Sequence, residues 1–160
     1  MLHKTGIPTI EQVKDQFPEQ SKLSKPKAII ECYEDIPCNP CETSCPFQAI
    51  IIGPDINQQP KVDFDKCTGC TICVTSCPGL AIIVAEVHHP HAIIKIPYEF
   101  LPRPQKGEVW HAVNRSGEIV GDANILQTLV SRRQDRTLLV SIQIDSSLVY
   151  EVITIRRKHA

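Results

Sequence analysis

The chain has 160 residues, 42% of them hydrophobic, and 17 Lys and Arg against 18 Asp and Glu give a net charge of −1. That length suits one domain or two small ones, and the charge balance offers no basic field to attract nucleic acid or anionic lipid. No apolar run approaches the ~20 residues of a membrane-spanning helix, and 13 Pro argue for many turns and against a helical bundle.

Residues 1–26 read as an arm. Its opening residues carry no apolar stretch of the signal-peptide kind, so a reducing cytoplasm is the expected setting. A short helix is predicted within 8–17. Thr9 is its N-cap, and Gln12 completes a capping box. Ile10, Val13 and Phe17 then share a face, and Pro18 limits the helix. That face packs either on the chain's own cysteine-bearing domain, the simpler reading, or on a partner subunit.

All eight Cys lie between Cys32 and Cys77. Clustered Cys in a reducing compartment indicate metal more than disulfides. The chain also repeats itself. Cys38, Cys41, Cys45 and Pro46 match Cys70, Cys73, Cys77 and Pro78 at an offset of 32, and the apolar run 49–52 matches 81–84. Cys32 matches Cys67 at an offset of 35, so the first copy carries three extra residues in the loop 33–37. Strand candidates 27–31 and 61–65 precede the copies. Each copy reads as strand, cysteine loop, short helical turn from the last Cys, then strand. The turn region 53–60 joins them.

The second copy, from Cys67 to Pro78, has the spacing C-x2-C-x2-C-x3-C-P. Thiolates so closely spaced can surround one inorganic core only if the backbone curls around it. Gly69 relieves the crowding of that curl, its amides can donate to sulfur, and Pro78 turns the chain away after the last thiol.

No Cys follows Cys77. The turn His88-His89-Pro90-His91 reads as a solvated linker, not a metal site. Short strands are predicted at 92–96, at 108–113 and 118–121 around the hairpin signal 114–117, at 137–144 and at 149–155. They suit a small antiparallel sheet or barrel over 92–160, ending in a solvated basic tail, Arg156, Arg157 and Lys158.

The spacing of the second copy resembles that of bacterial iron–sulfur ferredoxins. The resemblance implies an α+β fold, with a dicluster ferredoxin-like domain at 27–91 and the β-rich extension behind it. It also implies two [4Fe-4S] clusters. In such ferredoxins the fourth Cys of each run holds the other run's cluster. Carried over, Cys32, Cys38, Cys41 and Cys77 hold one cluster, and Cys67, Cys70, Cys73 and Cys45 the other. Cys32 is included despite its longer loop because its strand ends as the strand before Cys67 does. Glu34 and Asp35 on that loop either disfavour reduction of the nearby cluster or are ordinary loop charges, the simpler reading.

The runs 31–46, 67–82 and 97–102 together are similar to the small iron–sulfur subunits encoded with flavin-dependent amino-acid dehydrogenases of the dye-linked proline and hydroxyproline type. That likeness implies that the oxidising chemistry, with FAD or FMN, lies in a partner subunit of a hetero-oligomer. This chain would have no catalytic site of its own and would relay single electrons between the flavin and another acceptor. No nucleophile–base arrangement, phosphate loop or dinucleotide glycine pattern is present in the sequence. Three other readings remain: a free-standing ferredoxin shuttle, the iron–sulfur half of another flavoenzyme such as a sulfur-compound reductase, and a zinc module. The three-in-a-row thiol spacing suits a cubane better than zinc knuckles.

Overall fold

The β-branched runs that flank the cysteine loops become neighbours in one sheet. The structure, a computed structural model, describes residues 2–159. Its strands are β1 (Lys27–Ile30), β2 (Ile50–Ile51), β3 (Lys61–Val62), β4 (Ile82–His88), β5 (His91–Tyr98), β6 (Val109–Asn114), β7 (Ile119–Leu129), β8 (Leu138–Asp145) and β9 (Val152–Arg156). Seven of them form a sheet in the order β1-β4-β5-β8-β7-β6-β9, and β2 pairs with β3 separately. Every pairing is antiparallel. The helices are short: α1 (Leu2–Thr5), α2 (Ile10–Asp15), α3 (Pro40–Ser44) and α4 (Ile72–Ser76).

The two faces of β1 and β4 are both covered. Ala28, Ile30, Ile82 and Val84 turn to the cysteine segments, where they pack with Ala49, Ile50, Val74 and Leu139. Ile29, Ile83 and Ala85 turn the other way, into a core with Trp110, Ile125, Val140 and Ile142. A strand buried on both sides reads as a continuous apolar run rather than an alternating one, which is how 27–30 and 82–85 read. By contrast β5 alternates exposed or half-buried with buried residues along its length.

β4 and β5 are joined by a tight turn and paired from Val84–Lys95 to His88–His91, so the sheet runs unbroken across the boundary expected at 91/92. Pairing with β4 stops at Lys95, and Pro97, which has no amide to offer, lies just beyond. Beyond β5 the sheet curls until β9 returns to within 8 Å of β5 between Cα atoms. Register shifts at Ala112/Val113, Val113/Asn114 and Ile125/Gln127 bend the strands. The hydrogen-bonded order stays open, with β1 and β9 at its ends.

The arm follows its expected chemistry with two corrections. Thr9 Oγ1 accepts from Gln12 N (3.2 Å), and Gln12 Oε1 accepts from Thr9 N (2.9 Å), which completes the capping box. Val13 and Phe17 are buried in the core with Ile29 and Trp110, the Phe17 ring edge-on to Tyr150 at 4.8 Å, so this face packs largely on the β-rich half and not, as expected, on the cysteine-bearing domain alone. Ile10 does not join them and stays 43% exposed, because six helical residues make too short a stripe to bury three side chains at once. β7 also runs to Leu129, far past the predicted 118–121. Pairing with both β6 and β8 carries it there, a tertiary effect that local propensity does not encode. Met1 and Ala160, the outer ends of the expected arm and tail, lie outside the described residues.

Candidate metal centre

The two cysteine runs fold to the same local pattern. α3 and α4 each end at the last Cys of the run, with Cys45 and Cys77 as C-caps. This corrects the expectation of a helical turn starting from that Cys. Pro40 fits the first turn of α3, where its missing amide costs nothing. After each cap the chain turns through a positive φ, at Gln48 (52°) and Leu80 (54°), again 32 residues apart. Gln48 N donates to Cys45 O and Leu80 N to Cys77 O. Ala49 N then reaches Cys45 Sγ at 3.4 Å, and Ala81 N reaches Cys77 Sγ at 3.4 Å. Ala28 N donates to Cys67 Sγ at 3.3 Å. Backbone amides thus point at three of the sulfurs, the arrangement that tunes bound iron–sulfur groups.

α3 and α4 lie side by side, and this brings the runs together crosswise. Cys45 from the first run joins Cys67, Cys70 and Cys73 around one cavity, walled by Ala28, Phe47 and Ile50. Cys77 from the second run joins Cys32, Cys38 and Cys41 around another, walled by Ile30, Pro78 and Ile82. The longer first loop does not displace Cys32 from its cavity. Gln59 Nε2 holds that loop through Tyr33 O (2.8 Å) and Asp35 Oδ1 (3.2 Å).

All eight Cys are free thiols; Cys41, Cys67 and Cys73 are buried and Cys70 is exposed. Burial, then the neighbouring sulfurs of Cys67, Cys70, Cys45 and Cys41, push the Cys73 thiol up to about 12. Burial, with smaller contributions from Cys77 and Cys38, pushes Cys41 up to about 11. Cys32 rises for the same reasons, burial first and then Cys77 and Cys38. Soft donors crowded in apolar surroundings repel one another as thiolates unless a cation lies between them, and iron bound there would hold them deprotonated. The donor set therefore fits iron–sulfur clusters. Among the described residues no three Cys, His, Asp or Glu side chains draw together tightly enough to hold a single ion. Each cavity brings four Cys together, the number of thiolates that a [4Fe-4S] cluster takes.

One element of the site escaped the sequence reading. Glu31, directly before Cys32, is held in a two-pronged ion pair by Arg115 from the β6–β7 turn, at 2.6 Å (Nε–Oε1) and 2.9 Å (Nη2–Oε2). The side chains are only 8% and 11% exposed. Tyr33 OH also donates to Glu31 Oε1 at 3.1 Å, and burial, with the Glu31 charge, raises the Tyr33 phenol well above its ordinary value. Arg115 Nη1 goes on to Tyr150 O and Glu151 O. No local signal links residues 84 apart in sequence.

Repeated strand, loop and helix units that enclose two four-thiol cavities define an iron–sulfur domain of ferredoxin type. Residues 36–81 match the 4Fe-4S dicluster domain family, which supports cluster binding and a role in electron transfer. The match spans less than a third of the chain and begins after Cys32. No curated protein and no solved structure shows significant similarity to the chain. Among the described residues no helix is long and apolar enough to cross a membrane.

Proposed function

We propose that this chain is the electron-relay subunit of a cytoplasmic flavin-dependent amino-acid dehydrogenase complex, with two [4Fe-4S] clusters bound by its eight Cys. Cys32, Cys38, Cys41 and Cys77 would hold one cluster, and Cys45, Cys67, Cys70 and Cys73 the other. The observation that carries the reading is the crosswise grouping of thiols, three from one run and one from the other around each cavity. When bound, each cluster supplies one-electron oxidation and reduction. The chain's own residues position the thiols, surround them with apolar side chains, and aim the amides of Ala28, Ala49 and Ala81 at sulfur. The FAD or FMN, and the catalysis, belong to the partner. The partner assignment is supported by the likeness of segments 31–46, 67–82 and 97–102 to the iron–sulfur subunits of that enzyme class.

Anaerobic purification of the chain from its native host tests both levels. The expected product is brown, carries iron and acid-labile sulfide for two clusters, and co-elutes with a flavoprotein that oxidises an amino acid such as proline or hydroxyproline. Iron-free folded protein would sink the cluster assignment. Iron-loaded protein eluting alone would leave the clusters standing and sink the partner.

A further inference from the structure

One end of the sheet has the features of a docking face. Tyr98 at the end of β5 pairs with Leu138 at the start of β8, and Leu139 pairs with Leu129 at the end of β7. The loop after β5 and the turn between β7 and β8 therefore leave from the same end. The loop holds Phe100 and Leu101 in solvent at 71% and 82% exposed, the barest large hydrophobics among the described residues. It is anchored at both ends. Thr137 Oγ1 donates to Glu99 Oε1 at 2.7 Å, and Gly107 N donates to Ile125 O at 2.9 Å. Pro104 in between is buried, and the Phe100 ring stands edge-on to Tyr98 at 5.7 Å. Apolar side chains fixed in this way lose little freedom when covered.

Val130, 53% exposed, opens the neighbouring turn. Exposed Arg132, Arg133 and Arg136 follow it, with Asp135 the one acid in that turn. None of the three arginines forms a salt bridge among the described residues. Val74 of α4 packs in one cluster with Leu139, so this end of the sheet adjoins the helix that carries Cys73 and ends at Cys77.

We infer that this sheet end is the docking surface for a redox partner protein that presents an apolar centre rimmed by carboxylates. The inference rests on the relay reading and adds where the partner sits and what its face is made of. Uncommitted guanidinium groups beside an apolar pair select carboxylates by paired hydrogen bonds. Recruitment to anionic lipid draws on clusters of ~4–8 basic residues near a membrane, more than this turn supplies. A second copy of the chain would bring two arginine rims together.

The test compares tagged wild type, Phe100→Ser/Leu101→Ser and Arg132→Glu/Arg133→Glu/Arg136→Glu, each expressed in the native host and purified anaerobically as the whole assembly. All the changed side chains are exposed, so iron content and thermal midpoint stay as in wild type and report an intact fold. The expected result is that wild type elutes with a flavoprotein, and that both variants lower the flavin-to-iron ratio at least about tenfold. Wild type eluting without a flavoprotein overturns the relay reading and this inference with it. Wild type keeping its flavoprotein while both variants keep it equally well overturns this inference alone. Two further outcomes assign the face to another occupant and also overturn it: pelleting of wild type, but not the variants, with phosphatidylserine vesicles, or a wild-type dimer that the variants lose.

Discussion

A methyl group at Gly69 would stand 2.5 Å from Pro26 Cβ and 2.7 Å from Pro26 O, at a φ of +69°. Both the left-handed backbone and the closeness of the arm therefore exclude a side chain where the second cysteine loop curls. Gly69→Ala is expected to lower the thermal midpoint of the cluster-loaded protein by more than the ~2–4 °C that corresponds to 1 kcal/mol in a domain of this size. Gly79→Ala, where an added Cβ meets nothing within 4 Å, should leave it unchanged; equal midpoints for the two would refute the account. A second test concerns the buried ion pair. Arg115→Met strands the Glu31 carboxylate, which is only 8% exposed, and should cost about 3–5 kcal/mol. Adding Glu31→Gln should recover much of that loss, because no buried charge then lacks its partner; additive losses in denaturation would show that the two side chains act independently. At this scale the sequence was legible where chemistry is local. The cysteine spacing and the Thr9–Gln12 capping box each lie within a few residues. Glu31 and Arg115 find each other only through the folded sheet, so nothing near either residue announces the pair.

The internal repeat foretold strand, loop and strand in each copy, because β-branched runs and turn residues bracket the thiols. It misplaced the helices. α3 and α4 lead into Cys45 and Cys77 rather than out of them, since the positive φ at Gln48 and Leu80 ends any helical course beyond the cap. The packing of α3 on α4 is what passes the fourth thiol of each run to the other's cavity. This crossing makes a distinctive prediction. Cys45→Ala and Cys70→Ala belong to different runs but one cavity, so the double variant should keep about half the iron, as each single variant does. Cys45→Ala and Cys41→Ala share a run but not a cavity, so together they should leave almost none. Iron and sulfide analysis of anaerobically prepared protein would give the reverse ranking if each run held its own cluster.

Across the whole molecule, the sheet joins the cysteine-bearing half to the β-rich half more tightly than a change of composition at His88 suggests. No Cys follows Cys77, yet β4 and β5 stay paired across the expected boundary at 91/92. β4 is the shared wall: Ile82 and Val84 pack in the cluster with the cysteine segments, while Ile83 and Ala85 face the core built around Trp110 and Ile142. Cutting the chain after residue 91 would strip β4 of its pairing with β5 and bare Ile29 and Ile83, which are fully buried, at about 1.5–3 kcal/mol for each side chain uncovered. Native domains have only ~5–15 kcal/mol of stability in all, so uncovering these two side chains alone would remove a sizeable share of it. The fragment 27–91 is therefore expected to aggregate or to shed its iron under conditions in which the full chain stays soluble and brown. Recovery of that fragment as a soluble, fully loaded monomer with an unchanged thermal midpoint would instead show that the clusters alone hold this half together and that the curled sheet is an independent attachment. On the shared-wall account, α4 and the loop bearing Phe100 and Leu101 are tied to one rigid sheet. A partner seated at its end would then meet the thiol cavities in a fixed geometry, as a relay of single electrons needs.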